Sequence, residues 1–283
     1  MKVFEEKKAL TLYISSLKAS GKRIGFVPTM GALHDGHLSL IRVAKNENDV
    51  VVASIFVNPT QFNNPEDLKN YPRTLEPDKE KLLQVNTDIL FFPTVEEMYP
   101  LNEVESEVFN FDQLEKVMEG KHRPGHFNGV ARVVSKLFKI VNPDTAYFGE
   151  KDFQQLAVIR KLVSEMKSSI NIIGCPTVRE PDGLAMSSRN MLLNEEERKE
   201  ASVISQTLFF VRDNWKKFGP EAIIQKAIET IEASGMMHVE YFEIADEETL
   251  QPLAEGFLSK HGRCFTAVRL GKVRLIDNVS LYS

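Results

Sequence analysis

Two histidines, His34 and His37, stand three residues apart at the end of Pro28-Thr29-Met30-Gly31-Ala32-Leu33-His34-Asp35-Gly36-His37, a stretch between an apolar run and an amphipathic one. At that spacing both rings share one face of a helix's first turn. A helix start offers N–H groups without intrahelical partners and the positive end of the dipole, so it accepts an anion. The same positive end disfavours imidazolium, and the rings are expected as neutral donors to phosphate oxygens. Gly31 and Gly36 would let the backbone approach a ligand closely. Spacing alone leaves two other readings open, a zinc half-site or a pair of capping histidines.

Further polar residues stand where elements end. Asn58 and Gln61 follow the apolar run 50–57. Both are candidate substrate ligands at a strand's carboxyl end, and a turn-forming Asn and an exposed Gln are the other readings. Gly149-Glu150-Lys151-Asp152 follows a second apolar run, so a second helix start is expected there, with Lys151 able to neutralise phosphate. Asp152 and Gln155 also read as a capping box. Met186-Ser187-Ser188-Arg189-Asn190 gathers hydroxyl donors around one fixed positive charge. Residues 121–127, basic and glycine-containing, read either as a flap over an anionic substrate or as a solvated loop.

The elements that must position these groups alternate. Helical spacing covers residues 6–19, 38–44, 76–84, 127–141 and 153–166, while apolar runs at 23–27, 50–57, 88–92, 145–148 and 170–174 read as strands, the first stopped by Pro28. Continuous β-branched runs alternating with helices predict an α/β fold on a Rossmann-like parallel sheet, whose ligands bind beyond the carboxyl ends of the strands. Helices over 195–217 and 220–233 and strands at 238–244, 264–270 and 273–276 predict a smaller α+β domain. The expected division is 1–177 and 178–283, the second part carrying the Met186–Arg189 loop.

A net charge of −5 argues against nucleic acid as a partner. No apolar run approaches the ~18 residues of a membrane span, and Met1-Lys2-Val3-Phe4-Glu5-Glu6 lacks a signal peptide's apolar core, so a cytoplasmic protein without a membrane partner is expected. Cys175 and Cys264, in apolar surroundings, are expected as buried free thiols.

In register, these motifs resemble the pantothenate synthetase family, the pantoate–β-alanine ligases of coenzyme A biosynthesis. The resemblance spans essentially the whole chain. It rests on Pro28 to His37, Asn58-Pro59-Thr60-Gln61-Phe62, Tyr71-Pro72-Arg73-Thr74, Arg123-Pro124-Gly125-His126-Phe127, Gly149-Glu150-Lys151-Asp152-Phe153-Gln154-Gln155, Met186 to Asn190 and Arg274-Leu275-Ile276-Asp277-Asn278. That family is similar in fold to the HIGH-motif nucleotidyltransferases. His34-Asp35-Gly36-His37 looks like their first motif and Met186-Ser187-Ser188-Arg189 takes the place of the KMSKS loop.

The resemblance implies a magnesium-dependent, two-step ligase with ATP as substrate, no tightly bound organic cofactor, and a homodimer. It implies that Met30, Gly31, Ala32, Leu33, His34, Asp35, Gly36 and His37 surround ATP, with His37 as catalytic donor beside His34. Gly149, Glu150, Lys151 and Asp152 would bind ribose and phosphate, Val178 would lie against adenine, and Met186, Ser187, Ser188 and Arg189 would close on the triphosphate. Gln61 and Gln155 would hold pantoate, with Asn58 nearby and Gln61 also beside β-alanine. The magnesium ligands stay unknown, Asp78 being the one candidate. A related adenylyltransferase would need a more basic second pocket than Asn58, Gln61 and Gln155 supply. An idle nucleotide sensor would lack a histidine or Lys151.

Overall fold

The computed structural model describes residues 1–101, 109–253 and 261–282. The chain divides into two compact units. The first takes Met1–Phe111, Arg123–Glu150 and Gln155–Pro176, and the second takes Asp112–His122, Lys151–Gln154 and Thr177–Ser283. The last segment of the second unit begins at Thr177, against an expected 178, and the unit also takes two short excursions that sequence reading assigned to the first.

Strands β1 (Lys2–Phe4), β2 (Ile24–Thr29), β3 (Val50–Ile55), β4 (Ile89–Phe91), β5 (Thr145–Gly149) and β6 (Asn171–Cys175) form one six-stranded sheet in the order β1-β4-β3-β2-β5-β6. Every pairing in it is parallel, as the apolar runs predict. Helices α1 (Lys7–Ala19), α2 (Asp35–Glu47), α3 (Pro65–Asn70), α4 (Leu75–Gln84) and α5 (Val95–Met98) come before α6 (Met118–His122) of the second unit. They are followed by α7 (His126–Val141) and α8 (Phe153–Glu165). α7 buries Val130, Val133, Val134, Leu137, Phe138 and Val141, the stripe its spacing marks. The strand order steps from β2 through β3 to β4 on one side and from β5 to β6 on the other. The switch therefore falls between β2 and β5, the place where open parallel sheets bind ligands.

Two differences from expectation concern this sheet. β1 carries no alternating pattern and pairs along the edge with β4, so nothing in its three residues announces a strand. Pro28 does not stop β2. The strand continues to Thr29 against β3, with Pro28 opposite Ser54, whereas pairing to β5 has ended at Phe26. A proline that lacks a donor is tolerated where one side of its ladder is already open.

In the second unit, β7 (Met237–Asp246), β8 (Gly262–Leu270) and β9 (Val273–Ser280) form an antiparallel sheet in that order. Helices α10 (Ser202–Phe218) and α11 (Pro220–Glu232) bury Leu208, Val211, Trp215, Ile223 and Ala227 in one cluster with Cys264 and Val268 of β8. Asn194 and Glu197 cap α9 (Glu195–Glu200) reciprocally. The single helix expected over 195–217 is interrupted at Ala201, where the ladder tightens to a bond from Ile204 N–H to Ala201 O. No described helix is long and apolar enough to cross a membrane.

Candidate active site

The turn after β2 reverses through two left-handed residues, Gly31 at φ +83° and Ala32 at φ +50°. At Gly31 a side chain would be strained and would crowd Ile55 and Asp78. His34 is the N-cap of α2, and its N–H donates to His37 Nδ1 at 3.3 Å. With Nδ1 used as acceptor, the neutral His37 ring carries its proton on Nε2. The two half-buried rings lie 4.0 Å apart between centroids. The capping reading holds at His37, where one ring nitrogen fixes the helix start and the proton sits on the other.

Asp78 corrects two expectations. It was the candidate metal ligand, yet it is fully buried on α4 and accepts from Ala32 N–H and Leu33 N–H, each at 2.8 Å, and from Thr74 Oγ1 at 3.2 Å. Bonds to a carboxylate are worth about 1.5–3 kcal/mol each, so Asp78 acts as a clamp on the turn. By the same count the loop's N–H groups are not at a ligand's disposal. The helix contributes the N–H groups of Asp35 and Gly36, which have no intrahelical partner at this position, together with the rings. Among the described residues no group of three or more His, Cys, Asp or Glu is placed to hold a metal ion.

Beyond β3, Pro59–Gln61 forms a short 3-10 turn capped by Asn58. Asn58 is only 1% exposed and its amide is committed. It donates to Gln61 Oε1 and Gly129 O at 3.2 and 3.1 Å, and it accepts from Tyr99 Oη and Thr60. Asn58, expected as a substrate ligand, holds Gln61 through this amide, and Gln61 Nε2 also approaches Met30 Sδ at 3.0 Å. Residues 121–127, expected to form one loop, are two pieces in different units. His122 closes α6, while Arg123 and His126 both donate to Gln61 O, at 3.4 and 2.8 Å. Arg123 Nη1 also lies 3.1 Å from His126 Nε2, so the His126 ring donates through Nδ1 and accepts through Nε2. Gly129 completes this cradle, because a methyl there would run into Thr60 O and lie 2.8 Å from Gln61 Cα.

β5 runs into a 3-10 turn, Glu150–Asp152, and on into α8. Lys151 is 19% exposed, with Asp152 3.9 Å away. Of the two adjacent glutamines, Gln154 is buried and saturated, donating to Leu114 O and Val117 O and accepting from Glu119 N–H. Gln155 is half-buried and no described residue holds its amide.

Val178 and Met186 face each other in a hairpin, with Met186 N–H bonded to Val178 O at 3.0 Å and a bridge between Arg179 and Ala185. Ser187 caps the following turn by accepting from Arg189 N–H, and Ser188 is buried. Arg179 holds the hairpin to β9 through two bonds to Asp277, at 2.7 and 3.0 Å. Sequence reasoning missed Arg179, Tyr99 and Gly129. Only the presence of the terminal Asp277-Asn278 motif pointed toward the first of them. Burial raises the Cys175 thiol to about 11 and the Cys264 thiol to about 12, so neither is a thiolate nucleophile near neutral pH.

A parallel α/β sheet whose switch-point turn carries His34-Asp35-Gly36-His37 at a helix start defines a Rossmann-like protein of the HIGH-motif nucleotidyltransferase type. A family model described as pantoate-beta-alanine ligase matches residues 2–280, and the chain belongs to that family and is a ligase. A pantothenate synthetase of Flavobacterium psychrophilum is 50% identical over 282 residues, 99% of this chain and 100% of that one. One from Phocaeicola vulgatus is 51% identical over 281 residues, covering 99% of each. The crystal structure of a pantothenate synthetase from Thermus thermophilus matches with a TM-score of 0.92 at 42% identity, covering 100% of both chains. That of the pantoate-beta-alanine ligase from Francisella tularensis, complexed with beta-gamma ATP and beta-alanine, matches with a TM-score of 0.85 at 38% identity, over 100% of this chain and 98% of that one.

Proposed function

We propose that this ligase joins pantoate to β-alanine in two steps. A pantoate carboxylate oxygen attacks the α-phosphorus of ATP, expelling pyrophosphate and forming pantoyl adenylate. The β-alanine amine then attacks the acyl carbon, loses a proton and expels AMP, leaving pantothenate. The observation that carries this reading is the helix start at the sheet's switch point. There the His37 Nδ1 bond makes Nε2–H the ring's donor, beside a second ring and the N–H groups of Asp35 and Gly36. Such a set stabilises charge building on a phosphoryl group without a nucleophilic side chain.

In this reading His34 and His37 donate to phosphate oxygens, Lys151 and Arg189 supply charge, and Ser187 and Ser188 supply hydroxyl donors. Val178 lies against adenine, and Gly149 to Asp152 lie along ribose and phosphate. Gln61 and Gln155 hold pantoate, with Asn58 acting through Gln61. Magnesium would enter with the nucleotide and would supply charge to its phosphates, while Asp78 spends both oxygens on the turn. A homodimer at work in the cytoplasm completes the reading as the family resemblance implies it. The test is ATP–pyrophosphate exchange: exchange should require pantoate and proceed without β-alanine, and pantoate-independent exchange would overturn the adenylate step.

A further inference from the structure

The terminal motif Arg274-Leu275-Ile276-Asp277-Asn278 lies on β9 and has no part in the mechanism just described. Each of its polar residues nonetheless holds a different segment of the second unit. Arg274 donates to Glu119 of α6 at 2.7 and 2.8 Å and to Glu240 of β7 at 2.6 Å. Asp277, 4% exposed, accepts both bonds from Arg179 at the base of the hairpin that carries Met186.

Asn278, 3% exposed, uses every polar atom it has. Its N–H donates to Asp277 Oδ1 at 2.7 Å, its carbonyl accepts from Arg179 Nη2 at 3.2 Å, and its Oδ1 accepts from Arg263 Nη1 at 2.6 Å. Its Nδ2 donates to the carbonyl of Lys151 at 2.8 Å. Two further contacts grip the same stretch. The Arg263 guanidinium sits 4.1 Å from the centroid of the Phe153 ring, and Phe265 packs on that ring at 5.9 Å.

We propose that Asn278 is a positioning residue for Lys151, and that with Asp277 it makes the end of β9 a shared mount for two segments. One is Lys151 with the start of α8, and the other is the hairpin bearing Met186. The physical case is directional. A flexible lysine is placed accurately only if its backbone is, and the 3-10 turn Glu150–Asp152 has no long ladder of its own to fix it. A buried amide aimed at the Lys151 carbonyl supplies that constraint, and Arg263 in turn fixes which way the Asn278 amide faces. The proposal rests on the reading of Lys151 as a phosphate donor.

The test is a double-mutant cycle on pantoate-dependent ATP–pyrophosphate exchange. Asn278→Asp keeps the oxygen that Arg263 needs and removes the Nδ2 donor. Asn278→Ser, neutral and smaller, controls for the added charge and carries the test should Asn278→Asp fail to fold by circular dichroism. The expected result is a loss of about 10-fold in kcat with pantoate KM changed less than about twofold, the scale of losing a residue that orients a functional group. In a Lys151→Ala background the same substitutions should change the rate by less than about twofold, because the group they position is gone. Wild-type kcat in both Asn278 variants would overturn the proposal. So would an equal loss in both backgrounds. Full activity in Lys151→Ala alone would instead overturn the role given to Lys151.

Discussion

The junction after β2 and the junction after β5 are both strand, turn and helix start, but they are secured from opposite directions. In the first, the backbone is the donor. Ala32 and Leu33 give their N–H groups to the buried Asp78, so the loop is stapled by a carboxylate, and in the proposed reading the two rings and the first helical N–H groups meet the nucleotide. In the second, the backbone is the acceptor. The Lys151 carbonyl receives an amide N–H from Asn278, and Gln154 is pinned by its own side chain. In the proposed function one junction offers neutral donors on a rigid loop and the other a charge on a long stem. Similar local patterns thus serve different electrostatic ends, and the difference lies in what reaches them from distant parts of the chain.

The largest effect should come from removing the charge. Lys151→Ala is expected to lower pantoate-dependent exchange by about 10² or more while leaving the circular dichroism unchanged, the scale of losing one charge-stabilising donor. A stopped-flow measurement of single-turnover adenylation checks this. Unchanged adenylation would make the two junctions functionally unequal, with the histidine turn sufficient alone.

A smaller, mixed effect is expected from Asp78→Asn. The amide can accept at only one atom, so one of the two N–H groups is left buried and unbonded, at a cost of about 1–3 kcal/mol in unfolding free energy by urea denaturation. Exchange should fall as well, since the turn that orients His34 and His37 loosens. Loss of stability with exchange untouched would show that the staple serves the fold and not the rings.

The smallest effect is expected at the thiols. With Cys175 at about 11 and Cys264 at about 12, both stay protonated at pH 8, and iodoacetamide should leave exchange unchanged until the protein is unfolded. The folded chain holds these protons more tightly than the unfolded one. Stability contributed by the neutral thiols is therefore lost as pH rises above about 8.5, never as it falls. Rapid inactivation at pH 8 would reopen a nucleophilic role.

Much of this was readable from the residues. The parallel sheet followed from runs such as residues 50–57, and the site motifs from their positions after apolar runs. What stayed hidden depended on partners far along the chain. Asp78 sits at the start of a helix among other charges, and its neighbours do not reveal that it reaches Ala32 and Leu33, some 45 residues away. Gln154 and Gln155 are adjacent and chemically identical, and only burial separates the saturated one from the available one. Pro28 carries a strong local signal that strand pairing overrode, because only one flank of β2 still needed a partner. Arg123 and His126 read as a basic surface segment until the carbonyl of Gln61 is placed beside them.

The close approach of α7 to the turn at residues 58–61 has a consequence for anyone redesigning the acid this ligase accepts. At Gly129 two backbones meet without a side chain between them, and even an alanine has no room. The acid subsite proposed around Gln61 therefore cannot be reshaped by mutating the helix face at that point. Libraries aimed at bulkier or shorter acids should leave position 129 fixed, and a change at Tyr99 or Met30 would reach Gln61 through the bond from Tyr99 to Asn58 and the contact with Met30 Sδ.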